Sequence, residues 1–239
     1  LSEKTPKNMT SGGLLLGLCA LVLLSIAGSA FAHVAQERRA RQAQKIKHMQ
    51  QSARQLSEAA IAIDPCCPLR PIPAELAGMA VRAWREVLQL DPQSPHAQTE
   101  LAGIEALAQS LAAGKQAIGN AMNLATSQEI SNLQRHLRNA ESIFQRLLET
   151  GSLDDTTFRQ YAKEIRWLIL KAEIDSMLHQ GNLAMERKDR VRFISFYQRA
   201  LNQLKKSSLS DARRADYIKV ISDKLADRDE PNQVAKASS

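Results

Sequence analysis

The chain has 239 residues, 32 Lys and Arg against 25 Asp and Glu, and only 4% aromatic residues. Its positive balance is local: residues 1–60 hold 8 basic and 3 acidic side chains, leaving 24 against 22 for the remainder. Nucleic-acid binding is excluded as the leading reading, because no basic stripe interleaved with aromatics runs through the part of the chain long enough to fold.

Taken in chain order, a polar segment (1–13) is followed by the run from Leu14 to Ala35, which carries no charged side chain. At the helical rise that run is roughly 33 Å long, enough to cross a hydrocarbon core of about 30 Å. The reading is a transmembrane helix over 14–35, with Cys19 inside it. The small-residue sequence "AFA" at Ala30 to Ala32 offers a cleavage site, but basic residues just beyond it favour a retained anchor over a cleaved signal. Arg38, Arg39, Arg41, Lys45 and Lys47 are assigned to contact with anionic lipid headgroups in a juxtamembrane helix over 36–63. Within it Ile46, Met49, Ala53, Leu56, Ala60 and Ile63 form one seam at helical spacing, read as the first helix of a folded domain or as a short coiled coil that makes a homodimer.

The stretch "DPCCPLRPIP" ends that helix with a rigid connection. Its adjacent Cys66 and Cys67 are read as loop thiols or as a pair across a dimer, ahead of a redox switch or soft-metal site, because a bond between neighbours is strained and further ligands are missing nearby. Next, "MAVRAWREVLQLDPQSPHAQTELAGIEAL" places Ala80, Trp84, Val87 and Leu88 on one helical face. Pro92 terminates it, and Ala97, Leu101 and Ala102 open another face.

A helix over about 128–149 buries Ile130, Leu133, Leu137, Ala140, Phe144 and Leu147 and is capped by Gly151. Asp154 or Asp155 starts a long helix to about Arg187, apolar on more than one face at "RWLILKAEI". Then "RFISFYQRALNQL" carries Phe193, Tyr197, Ala200 and Leu201, and "QGNLAMERKD" ahead of it carries Gly181 and Asp189. Ser210 caps a last helix, over 211–227, that turns Ala215, Ile218, Ile221 and Leu225 inward, and the tail over 228–239 is read as disordered.

The spacing of Ala80, Trp84, Val87 and Pro92 resembles the second helix of a tetratricopeptide repeat. Ala140 with Phe144, and Gly181 with Tyr197 and Ala200, repeat it more faintly. The resemblance implies an all-α, irregular α-solenoid of antiparallel hairpins over 64–227, since the three aromatic anchors do not keep a 34-residue period. It also implies a protein or peptide partner, so that the whole chain is read as a membrane-anchored interaction scaffold of a single-span bacterial protein. The alternative is the sensory or localising half of a larger signalling enzyme, such as a kinase, whose catalytic domain precedes residue 1. Local charge would hold the folded part in the cytoplasm, whereas the resemblance and the end of the apolar run place it outside the plasma membrane, the preferred reading.

No catalytic residue, metal ligand or cofactor site is assigned. His33, His48, His96, His136 and His179 are scattered without metal-ligand spacing, no glycine-rich phosphate loop or nucleophile elbow is present, and Asp154 and Asp155 suit a helix start better than acid–base work. Arg213 with Arg214, and Lys205 with Lys206, read as solvated faces.

Overall fold

The computed structural model describes residues 9–114 and 127–227; in the first helix, side chains are described at His33 and from Gln36 onward. The described residues are all-α, in seven helices: α1 Met9–Ile63, α2 Pro71–Leu90, α3 Pro95–Ala112, α4 Ser127–Glu149, α5 Asp155–Glu186, α6 Arg190–Lys206 and α7 Ala212–Ala226. By compactness the chain divides into residues 1–51 and residues 52–239. Neighbours in sequence pack together, α2 on α3, α4 on α5, α5 on α6 and α6 on α7, as short connections between helices require.

The expectation of a transmembrane helix is corrected. Among the described residues no helix is long and apolar enough to cross a membrane. Residues 14–35 are instead the opening part of a continuous 55-residue helix, and their side chains, His33 apart, lie outside the described residues. The readings that depended on the span, namely the membrane anchor, the membrane-spanning partnership, the single-pass plasma-membrane location and the choice of side, fall with it. The segments 1–8 and 228–239, including the expected disordered tail, lie outside the described residues.

Helix boundaries follow local chemistry. Pro71 and Pro95 start α2 and α3, where a missing N–H costs nothing, and Ser94 accepts from the Ala97 N–H at 3.4 Å. Helix α4 ends in a Schellman motif: the Gly151 N–H donates to the Leu148 carbonyl (3.0 Å) and the Ser152 N–H to the Leu147 carbonyl (2.8 Å), with Gly151 at φ 71°. Asp154 then caps α5 by accepting from the Thr157 N–H at 2.9 Å. The last cap is Asp211, one residue beyond the expected Ser210.

Each hairpin buries apolar residues against its neighbour. Ala53, Leu56, Ala60 and Ile63 are buried on α1, and Leu76, Ala80, Trp84 and Val87 on α2. The Trp84 indole N–H donates to Ser57 Oγ at 3.0 Å, and Ser57 Oγ donates to the Ala53 carbonyl, so the buried polar atoms of this joint are answered internally. On α3 the inward face runs through Ala97, Ile104 and Leu111, while Ala102 is exposed. Helix α5 is buried on several sides because it packs on both α4 and α6: Phe144 meets Tyr161 edge-on at 5.0 Å, and Trp167, Leu170 and Ile174 join Phe193, Tyr197, Leu204 and Ile221 in one cluster.

Candidate functional site

Two clefts concentrate chemistry-bearing side chains, and they differ in one respect: whether their charges are already matched. The first, of about 430 Å³, lies where the connection Pro65–Arg70 meets α5 and α7 and contains Cys66, Cys67, Trp167, Lys171, Arg213 and Tyr217. The Cys66 thiol donates to the Ile63 carbonyl at 3.2 Å and the Cys67 thiol to the Leu69 carbonyl at 3.4 Å. Both cysteines are free. Burial pushes the Cys66 thiol up to about 11 and the Cys67 thiol up to about 12, so neither supplies a thiolate nucleophile near neutral pH.

Each cation around this cleft has a carboxylate of its own. Arg70 pairs with Asp64, and Lys171 pairs with Asp175, which also accepts from the Tyr217 hydroxyl at 3.1 Å. Arg213 forks onto Glu164 through Nη1 at 3.0 Å and Nη2 at 2.8 Å, donates to Asp211, and stacks 4.8 Å over the Trp167 ring. Its hydrogen bonds draw the Asp211 carboxyl down to about 2. The arrangement ties α5 to α7 and leaves no unmatched positive charge for an incoming anion. Among the described residues no group of three or more His, Cys, Asp and Glu is placed to hold a metal ion.

The second cleft, of about 300 Å³, lies between the last turns of α5 and the first turns of α6. The chain reverses there within Arg187, Lys188 and Asp189. The Lys188 N–H donates to the Met185 carbonyl (2.9 Å) and the Asp189 N–H to the Ala184 carbonyl (2.8 Å), a second Schellman closure, with Lys188 at φ 61° where glycine is usual. Asp189 immediately caps α6 by accepting from the Arg192 N–H at 3.0 Å. Deeper in the hairpin the helices touch: a Cβ on Gly181 would lie 2.7 Å from two ring atoms of Tyr197, whose hydroxyl donates to Asn182 at 2.7 Å.

This tight end fixes the floor and walls of the groove. Leu183 and Phe196, both half-buried, form with Ala184 an apolar floor, and Gln180 and Ser195 add polar atoms. Three exposed arginines surround it. Arg192 pairs with Asp189 at 3.2 Å, whereas the guanidinium groups of Arg187 and Arg199 have no ion pair or hydrogen bond among the described residues. Two uncompensated guanidiniums beside a small apolar floor can accept carboxylates bidentately while an apolar side chain settles between them.

The residues expected at repeat positions are brought into the core and not into a site. Ala80, Trp84, Val87, Ala140, Phe144, Gly181, Tyr197 and Ala200 are buried, and Pro92 is exposed just past α2. Arg38, Arg39, Arg41, Lys45 and Lys47 are exposed along α1, where Glu37 pairs with Arg41 at 3.5 Å. Their exposure neither supports nor opposes the expected contact with lipid headgroups. Arg213, expected on a solvated face, is held by two carboxylates, and Arg187 and Arg199 were not singled out at all.

No family model, no curated protein and no solved structure matches the chain. The tetratricopeptide resemblance is therefore corrected: without a matching family model, the spacing around Trp84 describes close helix packing and not membership of that family. What stands is an all-α domain of stacked helix pairs.

Proposed function

We propose that this chain is a protein-interaction module, not an enzyme, and that the α5–α6 groove is its contact surface. The observation that carries this reading is the pair Arg187 and Arg199: they flank one groove without counterions, while the arginines and the lysine of the larger cleft are all matched. An unmatched charge in a concave surface is available to a partner at no cost in broken internal pairs. The raised thiols and the internally neutralised cleft support a non-catalytic role, since neither an activated nucleophile nor a poised acid–base pair is assembled there.

The test is site-specific photo-crosslinking in cells that express the full chain. A photoreactive residue at Ser195, inside the groove, should yield discrete protein adducts that are absent when the same group is placed at exposed Gln160 on the first turns of α5. Equal adduct patterns at both positions, or none at Ser195, would overturn the assignment of the groove.

A further inference from the structure

The geometry points to the chemistry of the partner: the α5–α6 groove takes a short acidic protein segment with an apolar side chain between its carboxylates. This rests on the reading of the groove as the contact surface and deepens it by naming what the surface selects.

Three features choose this occupant. The cations are arginines, whose planar forks match carboxylates in pairs. Arg187 sits at the end of α5 and Arg199 more than two turns into α6, so they approach the floor from different helices and can grip carboxylates on either side of one inserted residue. The floor itself is an apolar strip of Leu183 with Phe196, both half-buried, beside Ala184. A free phosphate or a nucleic-acid backbone would use the arginines but leave that strip in water. Asp189, on the lining and already paired with Arg192, also works against a continuous polyphosphate track. The Gln180 side-chain amide and the Ser195 hydroxyl offer hydrogen bonds to a peptide backbone.

The experiment measures binding of labelled peptides to the purified full chain by fluorescence anisotropy. The probe has one leucine between two pairs of glutamates. It should bind saturably and weaken as salt is raised. Glutamine in place of glutamate should weaken it about ten-fold or more, as expected for loss of charged hydrogen bonds, and alanine in place of leucine should weaken it several-fold. On the protein, Arg187→Glu combined with Arg199→Glu should reduce affinity about ten-fold or more with an unchanged circular dichroism spectrum, because both side chains are exposed. The charge reversal Lys205→Glu, outside the groove, should leave binding intact.

No measurable binding of the glutamate peptide, equal binding of the glutamine or alanine peptide, or equal loss with Lys205→Glu would each overturn the inference. So would tighter binding of a single-stranded oligonucleotide or of anionic vesicles that is lost in the double arginine variant. Discrete crosslinks from Ser195 combined with failure of the acidic peptide would leave the groove as the contact surface and remove only the stated chemistry. Failure of both would remove the two together.

Discussion

Gly181 and Tyr197 show how a single missing carbon sets a helix separation. Alanine normally stabilises a helix interior by about 1 kcal/mol over glycine, but here its Cβ would meet the Tyr197 ring at 2.7 Å, and that ring is buried and anchored through its hydroxyl to Asn182. Gly181→Ala should therefore destabilise the protein, by about 1–3 kcal/mol as for other overpacked sites, and should widen the α5–α6 groove. A thermal melt checks it, and an unchanged or higher melting temperature would mean that the two helices can separate freely. At Asp211 the prediction concerns pH. Its folded pKa of about 2 lies below the ordinary 3.8 because Arg213 donates to the ionised form. The stabilisation it supplies is fully present above about pH 5 and is lost as pH falls through 4 towards 2. Asp211→Asn keeps a capping oxygen but not the charge, so acid titration of its melting temperature should lose the part of the decline seen in the parent chain between pH 4 and 2.

The connection between α5 and α6 carries the next prediction, because Lys188 occupies a left-handed conformation at φ 61° in which a side chain is strained. Lys188→Gly should raise stability by about 0.5–1 kcal/mol, the relief of strain being partly offset by the freedom glycine has when unfolded. Chemical denaturation provides the measurement, and a loss of stability would imply that the Lys188 side chain makes a contact of its own. At this scale much of the fold is legible in the sequence. The apolar periodicity of α4, Gly151 as its C-terminal closure and Asp154 as the cap of α5 are local signals that need no knowledge of the tertiary fold. The choice between Ser210 and Asp211 was less accessible: either side chain can cap a helix, and the decision falls to Asp211 because Arg213 holds it both through its backbone N–H and its guanidinium. Ala102 was misplaced for a related reason. Helix α3 keeps a narrow inward stripe seven residues apart, Ala97, Ile104 and Leu111, so a small apolar residue off the stripe faces solvent.

Over the whole molecule, the core was more legible than the site. Trp84, Phe144 and Tyr197 announce themselves by size and helical spacing, and each is buried. A site made of Arg187 and Arg199 has no such signal, since the two lie on different helices and acquire a common function only when the hairpin closes. Arg213 is hidden in the same way: Glu164, which it grips, is 49 residues away in the sequence. The apolar run over 14–35 is the reverse case, a strong sequence signal that suggested a span, whereas among the described residues no helix is long and apolar enough to cross a membrane. The central claim, that the α5–α6 groove is the contact surface and the matched cleft at Cys66 is a structural joint, is tested most directly by hydrogen exchange on the full chain with and without saturating acidic peptide. Slower exchange confined to residues 180–199, with residues 64–70 and 211–217 unaffected, is the predicted result. Protection centred on residues 64–70 and 211–217, or no change along 180–199, would contradict it.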